Sequence, residues 1–70
     1  MTRRDCEVLE LMALGLSNKS IARKLGLSAG TVKVHVGHVL RAMGVQTRTQ
    51  AAIAHVTKRD ATAVAPALQP

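Results

Sequence analysis

Few side chains in this sequence are of the types that perform acid–base, nucleophilic or metal chemistry. His35 and His38 are three positions apart, which is near a metal-ligand spacing on a helix, but no carboxylate or thiol joins them. The single cysteine, Cys6, lies among apolar residues and is interpreted as a small core residue. No Ser/His/Asp or Cys/His set can be assembled. The sequence therefore predicts no enzyme, no cofactor and no metal site, and the two histidines are expected to pack or hydrogen-bond near the backbone.

The positive charge of the chain indicates more about its function than its few reactive side chains do. The net charge is +6 and the sequence pI is about 10.9. No acid occurs from Leu11 to Arg59, although basic residues recur throughout that stretch. Charge of one sign over such a span indicates an anionic partner. Because the chain has no Phe, Tyr or Trp to stack on unpaired bases, duplex DNA is favoured over single strands.

The elements that would position this charge are four short helices. A Thr-x-x-Asp pattern at Thr2 predicts the start of helix 1, and Thr47 with Gln50 predicts a second capping box before helix 4. Glycines that follow apolar periodic stretches predict the helix ends. The expected helices cover about 3–14, 18–25, 28–43 and 48–58, with Ser17 and Ser28 capping the middle two.

The stretch TVKVHVGHV, residues 31–39, is the ambiguous part of this assignment. Its alternating valines are typical of a half-buried strand, and Gly37 would weaken a helix. A helical wheel over 28–43 nevertheless gathers one apolar stripe, whereas the strand pattern fails after Gly37. We therefore predict a helix that presents Gly30, Val34, Gly37 and Arg41 on its outer face, with Lys33 at the edge. The inward stripe is Val32, Val36, Val39, Leu40 and Met43, with Ala29 among them.

The spacing Ala-x3-Gly-x5-Val at Ala22, Gly26 and Val32 is typical of a helix-turn-helix. A small residue allows the two helices to cross, glycine makes a left-handed turn, and valine anchors the next helix in the core. In this motif the second helix enters the major groove of DNA. The sequence thus predicts an all-α, compact four-helix domain over 1–58.

The remaining segment, 59–70, is rich in alanine and proline and lacks periodicity, so it is expected to be a disordered tail. Acidic residues interrupt any signal-peptide pattern near the start, and no apolar run is long enough to span a membrane. A cytoplasmic protein without a membrane partner is expected.

Several motifs together resemble the LuxR-type (GerE-type) helix-turn-helix domain of bacterial transcription regulators. They are Ser-Asn-Lys at the start of helix 2, Ile-Ala within it, Thr-Val-Lys-x-His on helix 3 and Arg-x-x-Ala-Ala opening helix 4. The resemblance covers residues 2 to about 57. It implies an output domain in the bacterial nucleoid that binds a pseudo-palindromic site, with helix 3 in the major groove and helix 4 forming a dimer that is weak in isolation. It also implies an upstream receiver or sensor domain, although some members stand alone.

The resemblance also assigns residues by position. Asn18, Lys19, Thr31 and Lys33 are expected to hold phosphates, with Lys33 able to reach bases. Residues at or near base edges are expected to be Val34, Gly37, His38 and Arg41. The expected dimer contact is formed by Ala51, Ala52 and His55.

Three positions depart from the family pattern: Ser20 replaces a usual acid, Ala42 a common lysine, and Gly37 a residue that contacts DNA in some relatives. The departure at Gly37 leaves the target sequence open. A different class of function is also open, in which the same fold serves as a protein-interaction module for dimerisation or RNA polymerase contact. A region similar to the promoter-binding domains of sigma factors is less consistent with the Thr-Val-Lys-x-His motif.

Overall fold

Four helices form the domain, in the order that the capping residues predict. The computed structural model describes the backbone of residues 1–68 and the side chains of residues 1–58. The helices are α1 (Arg3–Ala13), α2 (Asn18–Leu25), α3 (Ala29–Met43) and α4 (Arg48–Leu68), and the described part of the chain contains no strand. The predicted all-α helix-turn-helix fold is confirmed, including the helical state of residues 31–39.

Side-chain caps fix where the helices begin. Asp5 donates its backbone N–H to Thr2 Oγ1 at 3.1 Å, and Asp5 Oδ2 accepts the Thr2 N–H at 3.0 Å. Thr47 and Gln50 exchange the same two bonds before α4, each at 3.1 Å. Such a cap contributes about 1 kcal/mol to helix stability. Single caps of this kind are made by Ser17 for α2 and Ser28 for α3.

The turn between α2 and α3 depends on Gly26. Its φ of 70° lies in the left-handed region, where glycine carries no steric penalty. The N–H of Leu27 then donates to the carbonyl of Ala22 at 2.8 Å and closes the end of α2. Ala22 is buried and Val32 has no exposed surface. The three positions of the Ala-Gly-Val pattern therefore perform the structural roles that their spacing predicts.

A single small core holds the four helices together, and α1 packs against both α3 and α4. On α3, Val32 and Val39 are fully buried, while Val36, Leu40 and Met43 pack against the core from its edge. Ala29 differs from the prediction because it lies in the first turn of α3 and is exposed. The buried residues of the core are Val8, Leu9, Met12, Ile21, Ala22, Val32, Val39 and Ala51.

Cys6 is also placed differently from the prediction. It is exposed, because Asp5, Val8, Leu9 and Met12 form the buried face of α1 and Cys6 lies to one side of that face. Its immediate neighbours in the sequence are the charged residues Asp5 and Glu7, and the apolar residues that suggested a core position begin only at Val8.

The last helix is longer than the sequence predicts. The expected end near Lys58 is wrong, because α4 continues to Leu68. Alanine is the strongest helix former and recurs through this segment. Residues 59–68 belong to α4, the disorder expected of 59–70 stays a prediction, and residues 69–70 lie outside the described residues. No helix in the described part of the chain has the length and apolar character needed to cross a membrane.

Candidate nucleic-acid interface

Helix α3 has one face fixed in the core and an opposite face in solvent. Val32 and Val39 have no exposed surface, whereas Lys33 and Arg41 are exposed. Val34 is 56% exposed and lies on the same outer face. The predicted outer residues of α3 are thus brought together on a rigidly supported surface.

The first turns of α2 and α3 carry the residues predicted to hold phosphates. Lys19 and Thr31 are both exposed. Ser28 donates its hydroxyl hydrogen to Thr31 Oγ1 at 2.9 Å, which orients the threonine side chain at the start of α3. Helix N-termini expose unpaired N–H groups and favour anions, so both turns suit phosphate.

Asn18 has a structural contact that the sequence did not reveal. Its Oδ1 accepts a hydrogen bond from Arg48, and the same guanidinium donates to the carbonyl of Leu16. Arg48 therefore ties the loop before α2 to the first turn of α4. The Asn18 oxygen is engaged within the fold, and a phosphate contact through its amide N–H group stays a prediction.

His35 and His38 both face the buried carboxylate of Asp5. The Nδ1 atom of His35 lies 2.6 Å from Asp5 Oδ1, and that of His38 lies 3.4 Å from the same oxygen. The hydrogen bond from His35 holds the pKa of Asp5 well below its usual range, although burial acts in the opposite direction. The expectation that no carboxylate joins the two histidines is therefore wrong. His38 is turned toward α1 and its side chain is 44% exposed.

The predicted dimer residues on α4 are not all at the surface. Ala51 has no exposed surface and belongs to the core, so its assignment to a dimer contact is wrong. Ala52 is half-buried. His55 packs toward α1, with its Nε2 atom 3.4 Å from Glu10 Oε1 but without a well-formed hydrogen bond.

Two larger apolar residues on α4 are more accessible than the predicted ones. Ile53 is 61% exposed and Val56 is 41% exposed. They lie three residues apart and share one side of α4 with Ala52. Five of the six residues in AAIAHV are apolar, which could have indicated a second apolar side, but only the structure shows which side is buried.

Comparison with known proteins agrees with this architecture. Residues 1–55 match the family described as "Bacterial regulatory proteins, luxR family". The chain belongs to the LuxR family. The match covers α1, α2, α3 and the first part of α4 of this LuxR-family domain.

Relatives of this LuxR-family chain are regulatory proteins of greater length. The chain is 51% identical over 53 residues to the transcriptional regulatory protein DegU of Brevibacillus brevis, covering 76% of this chain and 22% of that protein. It is 47% identical over 53 residues to the nitrate/nitrite response regulator protein NarL of Escherichia coli (strain K12), covering 76% and 24%. NarP of the same strain is 44% identical over 61 residues, covering 87% and 28%. The chain spans about a quarter of the length of these relatives.

Gly37 lies in the interior of α3 in this LuxR-family domain, where glycine opposes helix formation. A β-carbon at this position would meet only Arg41 Nη1, at 3.8 Å, which is an ordinary van der Waals contact. We expect Gly37→Ala to raise the free energy of unfolding by about 0.5–1 kcal/mol, because alanine loses less backbone entropy in a helix. Urea denaturation would measure the change. A destabilised variant would mean that Gly37 has a packing role within the domain.

Proposed function

We propose that this LuxR-family domain binds duplex DNA in a sequence-specific manner as the output domain of a bacterial transcription regulator. The observation that carries the proposal is the exposed face of α3, where Lys33, Val34 and Arg41 surround Gly37 on a helix anchored by buried valines. An α-helix fits the major groove of B-DNA, and the second helix of a helix-turn-helix is the one that enters it.

Phosphate contacts supply much of the affinity in this proposal. Lys19, Thr31 and Lys33 lie on exposed first turns or edges of α2 and α3, and Asn18 adds its amide donor. The region from Leu11 to Arg59 has no acid that would repel the DNA backbone. Such contacts fix the position of the protein on DNA but do not select a sequence.

Base selection is assigned to the centre of the exposed face. Val34 is suited to a thymine methyl group, and Arg41 to guanine or to a phosphate. Gly37 lies between them and leaves room for close approach of the helix backbone. His38 is placed beside this set, but its contact with Asp5 directs the ring toward α1.

Pairing of two domains is assigned to α4. The exposed Ile53 and Val56 form an apolar strip together with the half-buried Ala52, and His55 lies at its edge. The strip is far smaller than a standard protein interface, so the isolated dimer should be weak. Two half-sites about one helical turn apart would pair the domains by raising their effective concentration.

The wider context follows from the length of the relatives. Because the chain matches only about a quarter of DegU or NarL, we propose that an upstream receiver or sensor domain controls pairing in a longer regulator. RNA polymerase is a further proposed partner, and the place of action is the bacterial cytoplasm and nucleoid. No chemical reaction is assigned to the domain.

Selection of binding sites from a pool of random duplexes would test this function. We expect enrichment of a motif with two-fold symmetry and half-sites about one helical turn apart. Binding of all duplexes without enrichment would contradict sequence specificity. Absence of binding even at low salt would instead favour a protein-interaction module built on the same fold.

A further inference from the structure

We propose that Asp5, His35 and His38 form a binding site for a divalent transition-metal ion of the zinc class. The three side chains come from α1 and α3, and they offer one carboxylate oxygen and two imidazole nitrogens. These three atoms lie within 4.8 Å of one another. Carboxylate and imidazole are ligands that Zn²⁺ accepts, and three protein ligands with one water complete a tetrahedral shell.

The two separations that involve Asp5 are close to those in such a shell, and the two histidine nitrogens lie within 4.8 Å of each other. Zinc bonds of about 2.0–2.2 Å place ligand atoms about 3.3 Å apart in a tetrahedron. The separation between Asp5 Oδ1 and His38 Nδ1 is already 3.4 Å. The separation between Asp5 Oδ1 and His35 Nδ1 is 2.6 Å, the length of a hydrogen bond. Replacing the shared proton with a metal ion therefore requires His35 to retreat by less than about 1 Å.

The carboxylate is held in place by the cap of α1. Asp5 Oδ2 accepts the N–H of Thr2, and Asp5 donates its own N–H to Thr2 Oγ1. The other oxygen, Oδ1, is thereby directed at the histidines. A hydrogen bond to the second oxygen of a ligating carboxylate is a common way of orienting it toward a metal. Asp5 is buried, so its surroundings hold the carboxylate in this orientation before an ion arrives.

The two histidines are held on one helix, and their side chains leave the site open to solvent. His35 and His38 lie three residues apart on α3 and face the same side. Their side chains are 19% and 44% exposed, whereas that of Asp5 is 3% exposed. An ion can therefore reach the site from the His38 side, where a water molecule has room to complete the coordination.

Thermal unfolding of the metal-stripped chain would test the site. In a buffer without phosphate, we expect ZnCl₂ at a hundredfold excess over Kd to raise Tm by at least about 5 °C, because the ion binds the folded state. MgCl₂ at the same concentration should leave Tm unchanged, since Mg²⁺ prefers an octahedral shell of oxygen ligands. No rise in Tm with ZnCl₂ up to about 1 mM would overturn the proposal, because a site weaker than that adds little folded-state stability.

Matched variants separate this site from other zinc ligands. His38→Ala should abolish most of the Tm rise, while an unchanged far-UV circular dichroism spectrum shows that the variant still folds. Cys6→Ser and His55→Ala should retain the rise, because both residues lie outside the cluster. A rise that survives His38→Ala, or disappears in Cys6→Ser, would overturn the assignment.

Imidazole nitrogen chemical shifts provide a measurement that does not depend on stability. On adding ZnCl₂ we expect the Nδ1 signals of His35 and His38 to move to metal-bound positions while His55 stays unchanged. A change at His55 alone, or at no histidine, would contradict the proposed ligand set.

Discussion

Asp5→Ala is expected to lower the free energy of unfolding by about 2–3 kcal/mol. The substitution removes one half of the α1 capping box and leaves the buried side of His35 without its acceptor. A hydrogen bond to a charged group contributes about 1.5–3 kcal/mol, and a domain of this size has little stability to spare. Urea denaturation monitored by circular dichroism would measure the loss.

Glu7→Ala is the matched control for this experiment. It removes an acid from the same helix, but Glu7 makes only a half-exposed ion pair with Arg4 at 3.2 Å. Such a pair contributes at most about 1 kcal/mol, so the control should change stability little. If the two variants lost equal free energy of unfolding, the effect of Asp5→Ala would come from the change in net charge, and the His35 contact would contribute nothing to stability.

The same carboxylate makes stability depend on pH. Because the pKa of Asp5 is lower in the folded chain than in the unfolded chain, its contribution is fully present above about pH 4. It is lost as the pH falls toward the folded-state pKa. We therefore expect the free energy of unfolding to decrease between about pH 4 and pH 2 more steeply in the parent chain than in Asp5→Asn. Parallel curves would contradict the lowered pKa.

Ala51→Glu and Ile53→Glu, two residues apart on α4, are expected to differ greatly in their effect on stability. Ala51→Glu should unfold the domain, because a charge without a partner would be placed in the core at a cost of about 3 kcal/mol or more. Ile53→Glu should change the stability of the free domain by no more than about 0.5 kcal/mol, because Ile53 is 61% exposed. Thermal unfolding would distinguish the two.

The DNA-binding consequence of Ile53→Glu tests the pairing surface. We expect it to abolish cooperative binding to paired half-sites while leaving binding to one half-site nearly unchanged, because two like charges would meet across α4. Electrophoretic mobility shifts on one-site and two-site duplexes would show the difference. Equal effects on both duplexes, or none, would place the pairing surface elsewhere.

The local structure of this domain is largely predictable from its sequence. Thr2, Ser17, Ser28 and Thr47 cap the helices as their spacing predicts, because a cap involves residues only three positions apart. The turn at Gly26 is equally local. The outer face of α3 was predictable because, in an amphipathic helix of 15 residues, the positions of the buried residues determine which residues face the solvent.

Contacts between distant segments were not predictable in this way. Asp5 meets His35 and Arg48 meets Asn18 across 30 positions in each case, so no local pattern relates them. The neighbours Ala51 and Ala52 have the same chemistry, and only the packing of α4 against α1 decides which one is buried. The extension of α4 beyond Lys58 reflects alanine propensity, which the absence of apolar periodicity concealed.

The most direct test of the proposed DNA-binding role of α3 is a titration of duplex DNA over a range of salt concentrations. It compares the parent chain with Lys33→Ala and Lys24→Ala. Lys33 lies on the exposed side of α3, whereas Lys24 is also exposed but lies beside Arg3 and Cys6 on the α1 side of α2. We expect Lys33→Ala to weaken binding to every sequence and to reduce the slope of log K against log salt by about 0.9, while Lys24→Ala leaves both unchanged. Equal slopes for Lys33→Ala and the parent chain, or equal losses in the two variants, would contradict the placement of α3 on DNA.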